Sequence, residues 1–392
     1  MSRVLLVCPE PLGHRQPAGI GIRFLEMEKV LRTSGHAVTL LGRGDITPER
    51  LHEESGRHDV AVVQGHAAND LFAHAQPLPV VVDLYDPFII ENLHYHAARG
   101  AEVFTHDHAT LVTSLLHGDL FLCASEAQRF FYLGALLAVG RLNPIAFESD
   151  AHLDDLIRIA PFGVPPPMTI DPTPAPSLLF GGIYDWYDPI VAIEAVAIAR
   201  RSLPALTLTF THHPNPELTP QGKTAEAMTY TKRKKYNFVQ FEKWIAYDDR
   251  VGFYRRFAAA LLTFPQSIET DLSMRTRIYD YLWAGLPIVT SSAPGTDEIL
   301  ERYRAGAIVR SDSADDFART ILNMLARRTE MVAGTQRFVG DHQWSRALQP
   351  LADFCRAPKF APAKEEFAAR LQVPERPPTI LDRLKRRIGG SI

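Results

Sequence analysis

The chain has 392 residues, 46% of them hydrophobic and 22% charged, which suits a globular protein too long for one comfortable core, so two domains are expected. A formal net charge of -3 argues against general nucleic-acid binding, which shows as a basic domain or stripe, so any basic surface must be local. No apolar stretch reaches transmembrane length, the apolar run in "MSRVLLVCPEP" is too short for a signal peptide, and the distant Cys8, Cys123 and Cys355 read as buried thiols, so the expected location is the reducing cytoplasm.

"RVLLVCPEP" is a continuous apolar run of the kind buried on both faces of a parallel sheet. The loop "LGHRQPAGIG" follows, then a helical pattern carried by Phe24, Met27 and Leu31, which Gly35 ends before "HAVTLLG" returns as a strand. Further strands at "DVAVVQG", "LPVVVDLYD" and "DLFLCAS" alternate with helices or loops in the manner of a doubly wound α/β domain, spanning 1–165. "IRIAPFGVPPPMTIDPTPAP" holds so many prolines that no regular element is expected there, and residues 166–176 are read as the interdomain linker.

The alternation then restarts. "SLLFGGIYD" reads as strand plus glycine turn, "PIVAIEAVAIARR" as an amphipathic helix opened by Pro189, and "ALTLTFTH", "AAALLTFP" and "PIVTSS" as strands. This predicts a second Rossmann-like domain over 177–332, a helical return segment over 333–358 packing on the first domain, and a basic tail over 359–392. That tail, "RPPTILDRLKRRIGGSI", reads as solvated surface or, alternatively, as a peripheral contact with the anionic inner face of a membrane.

Between the last two strands lies "MRTRIYDYLWAGLP". Arg275 and Arg277 fall in what reads as its first helical turn, where the helix dipole repels cations, and Ser273 reads as the N-cap. Free N–H groups and two guanidinium forks together suit a diphosphate. The alternative is that both arginines pair with Glu269 and Asp271 just upstream. Asp280 shares a helix face with Thr276 and Arg277, where its carboxylate either accepts bonds from ribose hydroxyls or bridges Arg277, while Met274, Ile278 and Leu282 face the core. The pattern on its own supports a phosphate-binding α/β domain.

The stretch "ETDLSMRTRIYDYLWAGLPIVTSSAPGTDEIL" resembles the donor-binding segment of the GT-B glycosyltransferases, in the bacterial branch of the large retaining nucleotide-sugar family (group 1, family 4). The resemblance extends through "GIGIRFLEMEKVLRTSGHAVTLL", "ASEAQRFFYLGALLAVGR", "PFGVP" and "LLFGGIYDWYDPIVAIEAVA". It implies an α/β GT-B architecture, two Rossmann-like domains facing each other across a cleft, with the donor on the second domain and the acceptor on the first. It also implies sugar transfer from a nucleotide diphosphate to a hydroxyl acceptor, with retention, in bacterial cell-surface polysaccharide or glycoconjugate biosynthesis.

The family's ribose-holding acid matches Asp280, an Asp where Glu is usual. The acid that approaches the donor sugar has no counterpart at the usual spacing, and Glu269 is the preferred substitute. The Arg and Lys that the family brings from the start of the second domain are absent from "GGIYDWYDP", which places the diphosphate charge on Arg275 and Arg277. Where the family places a histidine near the donor sugar, "VVVDLYDP" offers Tyr85 and Asp86, the latter at the carboxyl end of a parallel strand, where such sheets bind ligands.

Gly19 and Gly21 fit a loop that lets backbone approach a ligand, although "GIGIRF" fails as a dinucleotide fingerprint because Phe24 replaces the third glycine. Gly182, Tyr184 and Trp186 are placed to contact base or sugar, or else to pack, and Ser273 and Thr276 complete the binding set. There is no Asp-x-Asp pair, and "THDH" at 105–108 and "HH" at 212–213 make no convincing ligand set, so no metal or cofactor is expected and the nucleotide sugar is the co-substrate. Glycan, lipid-linked and small-molecule acceptors all remain open, and "TKRKKYNF" at 231–238 reads as a solvated run or as a contact with an anionic acceptor or membrane. The rival readings are a non-catalytic GT-B protein that binds a nucleotide sugar or a partner, and a sugar-nucleotide epimerase.

Overall fold

The computed structural model describes residues 1–12, 18–95, 100–169, 175–212, 221–246, 249–362 and 364. Short apolar runs form strands with both faces covered, as parallel sheets require. β1 (Arg3–Val7), β2 (Ala37–Leu41), β3 (Val60–Val63), β4 (Val80–Asp83), β5 (Leu120–Cys123) and β6 (Ile157–Ile159) pair in the order β2-β1-β3-β4-β5-β6, all parallel. β6 corrects the sequence reading: "IRI", counted with the proline-rich run, is an edge strand whose Ile157 pairs with Phe121.

The second sheet comprises β7 (Ser177–Gly182), β8 (Thr207–Thr211), β9 (Val239–Glu242), β10 (Ala259–Leu262), β11 (Ile288–Ser291) and β12 (Gly306–Val309) in the order β12-β11-β10-β7-β8-β9. β9 and β12 carry no strand reading in the sequence. Asp188 caps the helix Pro189–Ala199 by accepting from the backbone N–H of Ile190 and Val191, and that helix buries Ile193 and Val196 against the sheet.

Sheet order decides where ligands can bind. In a doubly wound sheet the crevice opens beyond the strands' carboxyl ends where the order reverses. That point lies between β1 and β3 in the first sheet and between β7 and β10 in the second. The two edges meet across a cleft. Tyr85, following β4, donates its hydroxyl to the carbonyl of Met274 at 2.8 Å. The Gln128 amide donates to the carbonyls of Tyr85 and Leu272 at 3.0 and 2.9 Å, and the Ser273 hydroxyl donates to Glu91 at 3.0 Å.

The chain crosses between the lobes twice at one place. Val164 on the outward crossing and Gln343 on the return form a parallel bridge, with Val164 N–H donating to His342 O at 2.8 Å and Trp344 N–H to Val164 O at 3.2 Å. Trp344 packs edge-on against Phe162 at 4.5 Å between ring centres. The helices Trp344–Ala347 and Gln349–Arg356 follow on the first lobe's side, where Arg158 donates to Pro350 O, and Lys359 pairs with Asp155 at 2.6 Å. Residues 365–392, which carry the basic stretch, and 170–174 of the linker lie outside the described residues.

Candidate active site

The second-lobe wall is built from the end of β7 and the helix Thr276–Trp283. Gly181 has φ +83°, and a Cβ there would collide with the Tyr281 hydroxyl, so glycine is required. Arg277 reaches back to this turn: its Nη1 donates to the carbonyls of Gly182 (2.6 Å) and Phe180 (3.3 Å), and its guanidinium lies over the rings of Tyr187 and Tyr184 at 4.7 and 5.3 Å. Among the described residues its Nε and Nη2 make no hydrogen bond, and the side chain lines the cleft at the switch point.

Two expectations about this helix are corrected. Ser273 is not its N-cap: a short separate helix, Ile268–Leu272, intervenes, and Ser273 ends that element and bonds to Glu91 of the other lobe. The N-cap position falls to Arg275, which provides no side-chain cap. Arg275 is buried, and its Nη2 donates to Glu269 Oε2 at 2.9 Å. Pairing with Glu269, one of the two sequence alternatives, therefore holds for Arg275 and not for Arg277. The pairing is incomplete: among the described residues Arg275 Nε and Nη1 are buried without a partner, with the guanidinium over Phe264 at 4.0 Å. Asp271 is exposed, and Ile278 and Leu282 are buried, with half-buried Met274 packed against the core.

Asp280 lines an adjoining pocket with Gly19, Gly182, Tyr184, Trp244, Thr276 and Arg277. Its ion-pair partner is Arg250, at 3.1 Å to Oδ2, and not Arg277. Arg250, which the sequence reading missed, lies over the Trp244 ring at 4.9 Å. Burial pushes the Asp280 carboxyl up and the Arg250 charge pulls it down, the first effect being larger. Among the described residues Oδ1 has no protein hydrogen bond. Tyr184 and Trp186 stack on each other at 4.7 Å and 10°, and both line the cleft.

The described part of the first-lobe wall is acidic. Glu10, beyond β1, uses Oε2 to accept from the N–H groups of Ala18 and Gly21, both at 3.0 Å. Gly19 and Gly21 are thus not in a loop, as the sequence suggested, but in the first turn of the helix Gly19–Thr33. Gly19 does approach the other lobe, where a Cβ would come within 3.2 Å of the Thr276 side chain, whereas Gly21 is directed to Glu10. Asp86 lines the cleft and hydrogen-bonds to Glu91, a carboxyl pair that holds together by sharing a proton. Burial, together with the charges of Asp83 and Glu269, raises Asp86 to about 6 against the pull of that bond, and burial raises Glu91 well above its usual value. Glu91, Glu10 and Gln64 are cleft residues that the sequence reading did not single out.

Among the described residues no group of three or more His, Cys, Asp or Glu side chains is arranged to hold a metal ion. His106 of "THDH" stacks on His66 at 4.6 Å, and His213 lies outside the described residues. In "TKRKKYNF", residues up to Lys234 continue a helix and the Tyr236 hydroxyl bonds to Glu194. No described helix is long and apolar enough to cross a membrane.

Residues 179–327 match the family described as glycosyl transferases group 1. The matched residues contain the Arg277 and Asp280 wall, and the two lobes have the GT-B fold of solved glycosyltransferases. Sucrose-phosphate synthase from Thermosynechococcus elongatus superposes with a TM-score of 0.63 at 11% identity, covering 91% of this chain and 98% of that one. Anabaena HepE, solved with UDP-glucose, superposes with a TM-score of 0.65 at 13% identity, covering 91% and 100%. No curated protein sequence matches the chain.

Proposed function

We propose that the protein transfers a sugar from a nucleotide diphosphate to a hydroxyl acceptor bound between the two lobes, with retention and without a metal ion. The observation that carries this reading is the set of guanidinium N–H groups of Arg277 and Arg275, unpartnered among the described residues, at the start of the helix Thr276–Trp283, beside the carboxylate of Asp280. The diphosphate sits at the helix start, where N–H dipoles and Arg277 meet its charge, and the ribose hydroxyls donate to Asp280 Oδ1. The arginines stabilise negative charge that grows as the sugar–phosphate bond breaks, and the departing phosphate accepts the acceptor proton. The group 1 match and the UDP-glucose bound by HepE support this, the family resemblance supports a place in bacterial surface polysaccharide or glycoconjugate synthesis, and the basic C-terminal sequence supports contact with the membrane's inner face.

A second reading, a non-catalytic nucleotide-sugar or partner-binding protein, is favoured by the engagement of Arg275 with Glu269 and by the absence of Arg or Lys in "GGIYDWYDP". Melting measured with UDP, GDP, TDP, ADP and NAD in parallel, followed by donor hydrolysis, separates the two. A rise with one nucleoside diphosphate together with slow hydrolysis of its sugar conjugate supports transfer. Binding without hydrolysis supports the second reading, and a response to NAD alone defeats both.

A further inference from the structure

The two walls of the cleft differ in chemistry. The second-lobe wall presents arginine N–H groups. The described first-lobe lining near the switch point presents hydrogen-bond acceptors: Glu10 beyond β1, Gln64 beyond β3, and the Asp86–Glu91 pair beyond β4. Among the described residues the arginine of that wall is Arg23, which is 1% exposed and bonded to Asp83 at 2.6 and 3.1 Å and to the carbonyls of Ala160 and Pro161. It has little left to offer an anion.

Gln64 is 2% exposed, and its Oε1 is buried with no hydrogen-bond partner among the described residues. Buried amide groups in folded chains are nearly always paired, so an unmet one at a cleft points to a ligand that completes it. A hydroxyl both donates and accepts, so it satisfies the amide in either orientation. Glu10 Oε1 likewise has no partner among the described residues, since both backbone bonds go to Oε2. Tyr184 and Trp186 add an aromatic plate to the same cleft, whose electron-rich faces suit the C–H face of a sugar ring.

We propose that the acceptor is a carbohydrate whose reacting residue bears no phosphate or carboxylate, its hydroxyls bound by Gln64 and Glu10 at the switch point of the first lobe. This rests on the glycosyltransferase reading and narrows it: a phosphorylated or uronic acceptor would bring negative charge against Glu10 and the Asp86–Glu91 pair, and repulsion of that kind selects against a wrong partner.

The test uses the full chain and the donor whose nucleotide raises its melting temperature. Acceptors are supplied as matched sets: glucose, galactose, mannose and glucosamine, each against its 6-phosphate, and glucose and galactose against their uronic acids. Transfer to at least one uncharged or amine-bearing member, with kcat/KM at least tenfold above its anionic counterpart, is expected. In Gln64→Leu the acceptor KM rises at least tenfold, and in Gln64→Arg the preference over the 6-phosphate narrows at least tenfold, both measured on protein that still melts cooperatively. Equal rates within pairs, transfer to anionic members alone, no transfer to any uncharged or amine-bearing member, or Gln64 variants with unaltered KM and preference would overturn the assignment. Transfer to anionic acceptors alone would leave the glycosyltransferase reading standing, whereas absence of nucleotide binding and donor hydrolysis would remove that reading first.

Discussion

Replacing Asp86 with asparagine tests the shared proton at the cleft. Asparagine mimics the neutral carboxyl at nearly the same size, so the substitution removes one ionisation and leaves the hydrogen bond to Glu91 available. Asp86 titrates at about 6 in the folded chain, against an ordinary value of 3.8. Below about pH 4 both states hold the proton, and the group has no differential effect. Between about pH 4 and 6 the unfolded chain releases it and the folded chain keeps it, so stability falls as pH rises, and above about 6 the loss is complete. At about 1.4 kcal/mol per pH unit this amounts to at most about 3 kcal/mol, and to roughly half of that once solvent screening in the open cleft is allowed for. With an unfolding entropy of about 2.1 cal/mol/K per residue, the variant melts about 2–4 °C above wild type at pH 7.5. Calorimetric scans from pH 4 to 8 should show a gap that opens between about pH 4 and 6 and stays level above. A constant gap, or a variant less stable at pH 7.5 than at pH 4.5 relative to wild type, would refute the reasoning.

Arg277→Ala should lower turnover more than tenfold with the melting temperature close to wild type, because this side chain bonds carbonyls at the surface of the cleft; near-normal steady-state rates would remove it from the diphosphate site. Arg275→Ala should also lose turnover more than tenfold, but it strands buried Glu269, at a cost of about 3–5 kcal/mol, which scanning calorimetry registers as a fall of about 4–6 °C. Asp280→Asn should raise the donor KM about tenfold and alter turnover at saturating donor far less; titration showing unchanged nucleotide affinity would exclude Asp280. Gly163→Ala places a Cβ 2.6 Å from the Trp344 ring and 2.7 Å from its Cα, so chemical denaturation should show a loss of about 1–3 kcal/mol.

Much of the architecture was legible because buried parallel strands are near-continuous apolar runs, as in "RVLLV" and "VVVD". The missed strands are those at or near sheet edges, where exposure breaks the signal: "VQFE" and "GAIV" are only partly buried, and "IRI" is three residues long beside prolines. The misplaced cap has a local cause. Ser267, six residues earlier, caps the short helix by accepting from Thr270 N–H, a start signal that goes unread when Ser273 is taken as the first cap. Arg250 meets Asp280 across 30 residues of sequence, and no helical spacing announces such a partner. Glu10 and Gln64 were reachable in principle, since each follows a parallel strand's carboxyl end, the rule that drew attention to Asp86.

The bridge between Val164 and Gln343 also limits how the lobes can part. Two bodies joined by one strand can slide, twist or separate along any direction, but here both connecting strands are fastened to each other at one spot. Translation would shear the bonds from Val164 N–H to His342 O and from Trp344 N–H to Val164 O, whereas rotation about that spot leaves them intact. A swing pivoting beside Phe162 and Trp344 would keep these two bonds and break those of Tyr85, Gln128 and Ser273 across the cleft, with displacement growing with distance from the pivot. Distances measured between paired spin labels, one pair beside the pivot and one across the cleft away from it, should broaden across the cleft and stay narrow at the pivot when nucleotide is withdrawn.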